Sequence, residues 1–188
     1  MRFHHTDLAG AYLIQSDKHA DERGFFARVF CERELSAAGL ETRFTQINNA
    51  MSAQKGTLRG LHYQLPPAAE VKIVRCVHGA FWDIMVDMRP NSPTYQKWFG
   101  AELNADNRLL MYVPRGVAHG ILSLTSDAEV IYLASESYAP DRERGVRWND
   151  PAISIEWPTQ PIVVSSKDSN WPDFNSKLND VELLRGLM

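Results

Sequence analysis

The sequence predicts an all-β fold, a sandwich or barrel of short strands with a few helical additions. Turn signals recur at short intervals, and the runs between them are rich in β-branched and aromatic residues. Long stretches of helical periodicity are nearly absent, which favours a sandwich or barrel over alternating βαβ units. A chain of 188 residues is long enough to bury one substantial core.

The predicted elements follow one another along the chain without a linker or repeat. Strand-like runs occupy residues 25–30, 43–47, 71–77, 81–88, 108–113 and 129–133. Turn-forming residues punctuate the chain at 21–24, 64–67, 89–93, 105–107 and 114–116. Two segments have helical character: 32–38, ended by Gly39, and 179–187, within a tail expected to be helical from about 170 to 188. We therefore expect a single domain over residues 1–188.

Two of the strands carry a basic residue on an otherwise apolar face. Alternation with a period of two places Lys72 on the face of Val74, and His62 on the face of Leu58 and Gly60. A lysine in this position either extends to the rim of the sheet or is used inside. The histidine, beside a residue without a side chain, is predicted to point into a cavity.

Composition limits the partners of the protein. The net charge of -3 provides no field for holding nucleic acid or an anionic membrane, and no apolar run approaches the length of a membrane helix. The polar N-terminus has no signal-peptide pattern, and Cys31 and Cys76 lie far apart without metal-finger spacing. We expect a cytoplasmic protein with two reduced thiols, in which local Arg and Lys side chains bind any anionic ligand.

Most catalytic motifs are missing from the sequence. His62 is followed by Tyr63 and Gln64, so the HxH pair of metal-binding β-barrels is absent, and His119 has no clustered carboxylate nearby; no metal is expected. The sequence also has no GxSxG elbow, GxGxxG fingerprint or P-loop. Proton transfer remains, since the chain can supply a base, an acid and a polarising group.

An ordered set of motifs carries a specific resemblance. The motifs are DERGFF (21–26), GTLRGLHYQ (56–64), VDMRPNSPT (86–94), VPRGVAHG (113–120), WNDP (148–151), IEWP (155–158) and SKD (166–168). Together they resemble the dTDP-4-dehydrorhamnose 3,5-epimerase family, from about Asp21 to Asp168. The resemblance implies a cupin-like jelly roll with short flanking helices, a homodimer that shares strands, and an active site inside the barrel without a metal or dissociable cofactor.

The activity implied is that of an isomerase in dTDP-rhamnose and polysaccharide biosynthesis, acting on a nucleotide-diphosphate sugar. It would convert dTDP-4-keto-6-deoxy-D-glucose to dTDP-4-keto-L-rhamnose by removing protons α to the C4 ketone. Two alternatives stay open: a single-site C3 or C5 epimerase on a related keto-sugar, and a non-catalytic barrel that binds nucleotide sugars. A metal-dependent cupin enzyme is a third possibility.

The resemblance also assigns roles to individual residues. His62 would be the base and Asp168 its orienting partner, with Tyr132 as the acid and Lys72 near the C4 oxygen. The residues expected to bind the substrate are Arg23, Arg59 and His119 at the diphosphate, and Phe26, Gln46, Asn48, Tyr138 and Lys167 at the nucleotide and sugar. Without this context, an inward histidine is more often a core residue, Tyr132 a packed aromatic and Asp168 a turn cap.

The chain departs from the usual family pattern at several positions. Ala50 stands in place of a serine, Arg28 in place of an acidic residue, Glu70 in place of a glutamine and Leu133 in place of a basic residue. None of these departures affects His62, Tyr132 or Asp168. They bear on which nucleotide is bound and on whether one or both carbons are inverted.

Overall fold

The computed structural model describes residues 1–187 and contains two large sheets packed as a jelly-roll sandwich. The first sheet is antiparallel, in the order β1 (Arg2–His5), β2 (Tyr12–Gln15), β10 (Leu110–Val113), β7 (Lys72–His78), β12 (Ala128–Ala134) and β5 (Gln46–Ser52). The second has the order β13 (Glu143–Gly145), β6 (Thr57–Gln64), β11 (Val117–Ser123), β8 (Ala80–Asp87) and β9 (Trp98–Asn104). The all-β fold predicted from the sequence is confirmed.

Smaller elements flank the two sheets. Strand β14 (Val163–Val164) pairs in parallel with β6, and β3 (Lys18–Asp21) and β4 (Gly24–Ala27) form a separate hairpin. Helix α1 spans Glu32–Ala37, helix α2 spans Ser166–Ser169, and a 3-10 turn spans Val181–Leu184.

Apolar side chains fill three layers. Val74 and Met85 belong to the central core between the sheets, while Ile73 packs on the outer face of the first sheet and Ile84 on the outer face of the second. Strand β8 is therefore buried on both faces, which explains its almost continuous apolar sequence.

The C-terminal tail is less helical than the sequence predicts. Only the 3-10 turn at 181–184 forms within residues 179–187, and Met188 lies outside the described residues. Asp180 adopts a left-handed conformation at φ 51° and binds Arg144, and the buried Asn179 donates to the carbonyl of Gly145. These contacts hold the tail as an irregular cover for the outer face of the second sheet, which prevents a continuous helix.

A buried carboxylate organises the turn that follows β8. Asp87 accepts hydrogen bonds from Arg89 at 2.7 and 2.9 Å and from Thr94 at 2.7 Å, and also from Ser92. Burial alone would raise the pKa of Asp87, but these hydrogen bonds lower it below its ordinary value. Asp87 thus has a structural role, as the hydrogen-bond acceptor that holds this turn together.

We predict that Asp87→Asn lowers the free energy of unfolding by about 3 kcal/mol near neutral pH, because it leaves the buried Arg89 guanidinium without its counter-charge. Since the pKa of Asp87 is lowered by folding, its stabilisation is present above the ordinary carboxyl pKa of about 4 and is lost as the pH falls further. Urea unfolding measured from pH 7 to pH 3 should show that the unfolding free energies of the unmodified protein and of Asp87→Asn become similar in acid. Asp141→Asn, in an exposed pair with Arg142, is the control and should change stability by less than about 0.5 kcal/mol; a similar loss in both variants would contradict the prediction.

Candidate active site

A slip in strand register brings two basic side chains to the same face of the second sheet. His62 pairs with His119 and Arg59 pairs with Ile121, so β6 advances three residues while β11 advances two. His62 therefore shares its face with Arg59, whereas the uninterrupted alternation predicted from the sequence would pair it with Leu58 and Gly60. Gly60 has a φ of +126°, and a Cβ there would lie 2.6 Å from the Cα of Gly120, so only glycine fits.

Two adjoining cavities lie between the sheets. The larger has a volume of about 510 Å³, within the range of small-molecule sites, and the smaller about 340 Å³. His62, Lys72 and Tyr132 line both cavities. Of the other predicted site residues, the larger cavity contains Arg59, His119, Lys167 and Asp168, and the smaller contains Gln46, Asn48 and Tyr138.

His62 is held by a buried carboxylate. Its Nε2 lies 2.6 Å from Oδ1 of Asp168, and the backbone N–H of Gly60 donates to the other oxygen of Asp168 at 3.3 Å. Burial would raise the pKa of Asp168, but the hydrogen bonds from His62, Gly60 and Ser165 lower it. With Nε2–H donating to an anionic Asp168, the neutral ring presents its unprotonated Nδ1 as the acceptor.

The opposite wall of the larger cavity comes from the first sheet. Tyr132 on β12 pairs with Val74 on β7, and Lys72 pairs with Ala134 two residues further along, so the side chains of Tyr132 and Lys72 both lie on the cavity face. Lys72 is mostly buried, and its Nζ lies 2.8 Å from Oε1 of Glu70. An imidazole on one sheet thus faces a phenol and a lysine side chain on the other.

Cationic and donor groups extend from this centre. The Nε2 atom of His119 lies 2.9 Å from the fully buried Asp83, which fixes the ring. Arg59 donates to the carbonyl of Met51 at 3.1 Å and remains exposed at the rim. Arg59 and His119 thus lie together where an anionic ligand can be bound.

Sequence reasoning missed Glu143. This mostly buried carboxylate accepts a hydrogen bond from the hydroxyl of Tyr138 at 3.0 Å, contacts Lys167 Nζ, and lies 3.8 Å from Nδ1 of His62. No signal in the sequence marks it, because it belongs to a charged segment, DRER (141–144), that reads as a solvated turn. Trp171 was also missed; its ring packs edge-on at 6.3 Å from that of His62.

Arg23 and Phe26 do not reach the cavities of their own chain. They lie on the β3–β4 hairpin, whose strands pair only with each other among the described residues. Arg23 is 82% exposed and bonded to Asp21, and Phe26 is 64% exposed. The two side chains predicted at the nucleotide and diphosphate are therefore presented to solvent by this chain.

Residues 1–187 offer neither a clustered metal site nor a membrane span. No group of three or more His, Cys, Asp and Glu side chains in this range is arranged to hold a metal ion. No helix in the same range is long and apolar enough to cross a membrane.

Comparison with known proteins gives one consistent result. The family model described as dTDP-4-dehydrorhamnose 3,5-epimerase matches residues 5–176. A dTDP-4-dehydrorhamnose 3,5-epimerase of Sinorhizobium fredii is 43% identical over 173 residues, which cover 92% of this chain and 89% of the relative. The crystal structure of the enzyme of that name from Elizabethkingia anophelis superposes with a TM-score of 0.91 at 38% identity, over 95% of this chain and 98% of the other.

A further similar structure belongs to an enzyme that is named for epimerisation at one position. A 3'-monoepimerase from Streptomyces bikiniensis, in complex with dTDP-quinovose, superposes with a TM-score of 0.86 at 34% identity. The match covers 97% of this chain and 92% of the monoepimerase.

We predict that Gly60→Ala destabilises the protein more than Gly24→Ala, although both glycines have a φ near +125°. A Cβ added at Gly24 would meet no atom within 4 Å, so its substitution adds backbone strain alone, of about 1–2 kcal/mol. At Gly60 the contact with Gly120 adds about 1–3 kcal/mol. Thermal or urea unfolding measures the difference, and equal losses at the two positions would argue against the close approach of β6 to β11.

Proposed function

Because this chain belongs to the dTDP-4-dehydrorhamnose 3,5-epimerase family, we propose that its cavities bind dTDP-4-keto-6-deoxy-D-glucose and convert it to dTDP-4-keto-L-rhamnose. The chain is an isomerase, a carbohydrate epimerase. The observation that carries the assignment of the site is the convergence of the His62–Asp168 pair, Lys72 and Tyr132 on one cavity.

The chemistry begins with the C4 ketone. A hydrogen on C3 or C5 is acidic because the electron pair left behind delocalises onto the C4 oxygen as an enolate. Lys72 is proposed to lie at that oxygen, where its ammonium stabilises charge that develops in the transition state.

His62 is proposed as the base that removes the proton. Its Nδ1 is the free acceptor, because Nε2 donates to Asp168. When Nδ1 gains the proton, the ring becomes an imidazolium, and the anionic Asp168 at 2.6 Å stabilises that charge. The carboxylate also fixes the tautomer in which Nδ1 is unprotonated.

Inversion requires a proton from the other face of the sugar. Tyr132 is proposed as the donor, because it extends from the first sheet while His62 extends from the second. The phenol O–H bond breaks as the new C–H bond forms, and the electron pair returns from the enolate oxygen to carbon. Proton exchange with solvent then restores neutral His62 and protonated Tyr132, so no cofactor is required.

The remaining polar residues of the cavities are proposed to bind the rest of the substrate. Arg59 and His119 supply donors for the diphosphate. Gln46, Asn48, Tyr138 and Lys167 line the positions of the nucleotide and the sugar. The substrate is therefore bound by locally placed donors in a chain whose net charge is only -3.

A homodimer with shared strands completes this proposal. The hairpin exposes Phe25 and Phe26, and edge strand β5 exposes Ile47 and Met51. Pairing between two copies would cover these side chains and bring Arg23 and Phe26 of one chain to the cavity of the other. We further propose that residues 1–188 act as one domain, in the cytoplasm, in keeping with the two free thiols.

A single-site epimerase is the second candidate. The structural similarity to the 3'-monoepimerase of Streptomyces bikiniensis favours it, because the same fold at 34% identity accompanies inversion at one centre in that protein.

Proton exchange with solvent tests the proposed reaction. Purified protein incubated with dTDP-4-keto-6-deoxyglucose in deuterated water should incorporate deuterium at C3 and C5, as followed by NMR. His62→Asn should slow both exchanges by about 10²–10⁴-fold, whereas His78→Asn, at an exposed histidine that ends β7, should leave them unchanged. Exchange at one carbon alone would identify a single-site enzyme; binding without exchange would leave a non-catalytic barrel.

Mixing two inactive variants tests the shared site. If Arg23 acts in the partner's cavity, a heterodimer of Arg23→Ala and His62→Asn subunits contains one intact cavity, so refolding the two together should restore activity. His62→Asn mixed with Tyr132→Phe is the control and should restore none, since both residues line the cavity of their own chain. Failure of the first mixture, with a dimer present by light scattering, would place Arg23 outside the partner's site.

A further inference from the structure

Glu70 is a buried carboxylate beside the proposed oxyanion-binding lysine. Its side chain is 6% exposed, and its Oε1 lies 2.8 Å from Nζ of Lys72. Its other oxygen, Oε2, is buried without a hydrogen-bond partner among residues 1–187. Glu70 lines the smaller cavity together with Lys72, His62 and Tyr132. Among residues 1–187, Lys72 is therefore the one cationic group that pairs with this buried carboxylate.

The backbone fixes the two side chains next to each other. The N–H of Val71 donates to Oγ of Ser135 at 2.8 Å, and the N–H of Ser135 donates to the carbonyl of Val71 at 3.0 Å. This reciprocal contact anchors the start of β7 to the end of β12. Residues 70 and 72 both line the smaller cavity, so their side chains project to the same side of this anchored segment.

A buried carboxylate is costly to keep unless it is paired. The Glu70–Lys72 contact is an ion pair of 2.8 Å between two mostly buried side chains, and the attraction within a buried pair is screened less than that of an exposed one. A lysine side chain has several rotatable bonds and loses considerable freedom when it is held in one position. Glu70 thus restricts Lys72 to the rotamers in which its ammonium stays between the two cavities.

We infer that Glu70 is a positioning residue for the proposed epimerisation: it holds the Lys72 ammonium where the C4 oxygen of the substrate binds. This inference rests on the proposed function. Glu70 acts through Lys72 and need not touch the sugar, so its contribution belongs to the rate of proton removal more than to binding of the nucleotide.

The chemistry of the substrate gives this role a distinctive signature. C3 and C5 are both attached to C4, so removal of either proton places negative charge on the same oxygen. A change in the position of Lys72 therefore slows proton exchange at both carbons by the same factor. A general distortion of the cavity would slow exchange at C3 and C5 by different factors, because His62 must reach the two carbons separately.

Three variants of Glu70 test the inference by deuterium exchange at C3 and C5. Glu70→Ala should slow both exchanges by about tenfold, a fraction of the loss seen when a direct oxyanion donor is removed. Glu70→Asp, which keeps the charge but shortens the side chain by one methylene, should give a smaller loss, again equal at the two carbons. Glu70→Gln keeps an acceptor oxygen for the ammonium and should retain most of the rate. Affinity for dTDP, measured by calorimetry, should be unchanged in all three.

A double-mutant cycle shows whether Glu70 acts through Lys72. In a Lys72→Ala background, Glu70→Ala should have no further effect on either exchange rate. Glu41→Gln alters another partly buried ion pair of 2.8 Å, with Arg115, outside both cavities, and should leave the rates as in the unmodified protein. The inference is overturned if folded Glu70→Ala exchanges both protons at the normal rate, or if it slows exchange at C3 and C5 by different factors. It is also overturned if Glu70→Ala lowers the exchange rate further in the Lys72→Ala background. If the unmodified protein exchanges neither proton, it is the proposed function that fails.

Discussion

The close approach of β6 and β11 at Gly60 and Gly120 is the constraint on which the arrangement of the site depends. A Cβ at Gly60 would lie 2.6 Å from the Cα of Gly120, and the register of the second sheet slips by one residue at this point. The slip turns Arg59 and His62 to the same side. It also directs the N–H of Gly60 to Asp168, so the backbone that makes the slip also orients the carboxylate that holds His62.

The cavities are rich in basic groups, yet most of these groups are matched by carboxylates. His62 pairs with Asp168, His119 with Asp83, Lys72 with Glu70 and Lys167 with Glu143. Each pairing fixes the orientation of a basic side chain. It also partly neutralises the positive charge that this side chain could present to a ligand. Among the predicted cationic residues that line the cavities, Arg59 alone has no carboxylate partner within residues 1–187. It lies at the rim of the larger cavity. This distribution fixes the groups of the interior in place, as the proposed proton transfer requires, and leaves an uncompensated charge where the proposed diphosphate would enter.

The exposed hairpin has a different character from the rest of the fold. Its two strands pair with each other alone in the described chain, and its aromatic side chains meet solvent. The proposed dimer would cover these side chains with a second copy. It would also supply Arg23 of one chain to the cavity of the other. A site completed by a second copy makes assembly and activity interdependent.

The sequence by itself determined the all-β class, the approximate positions of six strands (β4, β5, β7, β8, β10 and β12), helix α1 and most of the residues that converge on the cavities. Strand periodicity is local, and the ordered motifs from DERGFF to SKD directly contain several of the site residues, among them Arg59, His62, His119 and Asp168. The predicted C-terminal helix was wrong because Asn179 and Asp180 bind Gly145 and Arg144, contacts between residues far apart in the sequence. The register slip at Gly60, the burial of Glu70 beside Lys72 and the contacts of Glu143 were decided by tertiary structure alone. Each depends on how closely two segments approach in space, and the residue types in either segment do not encode that distance.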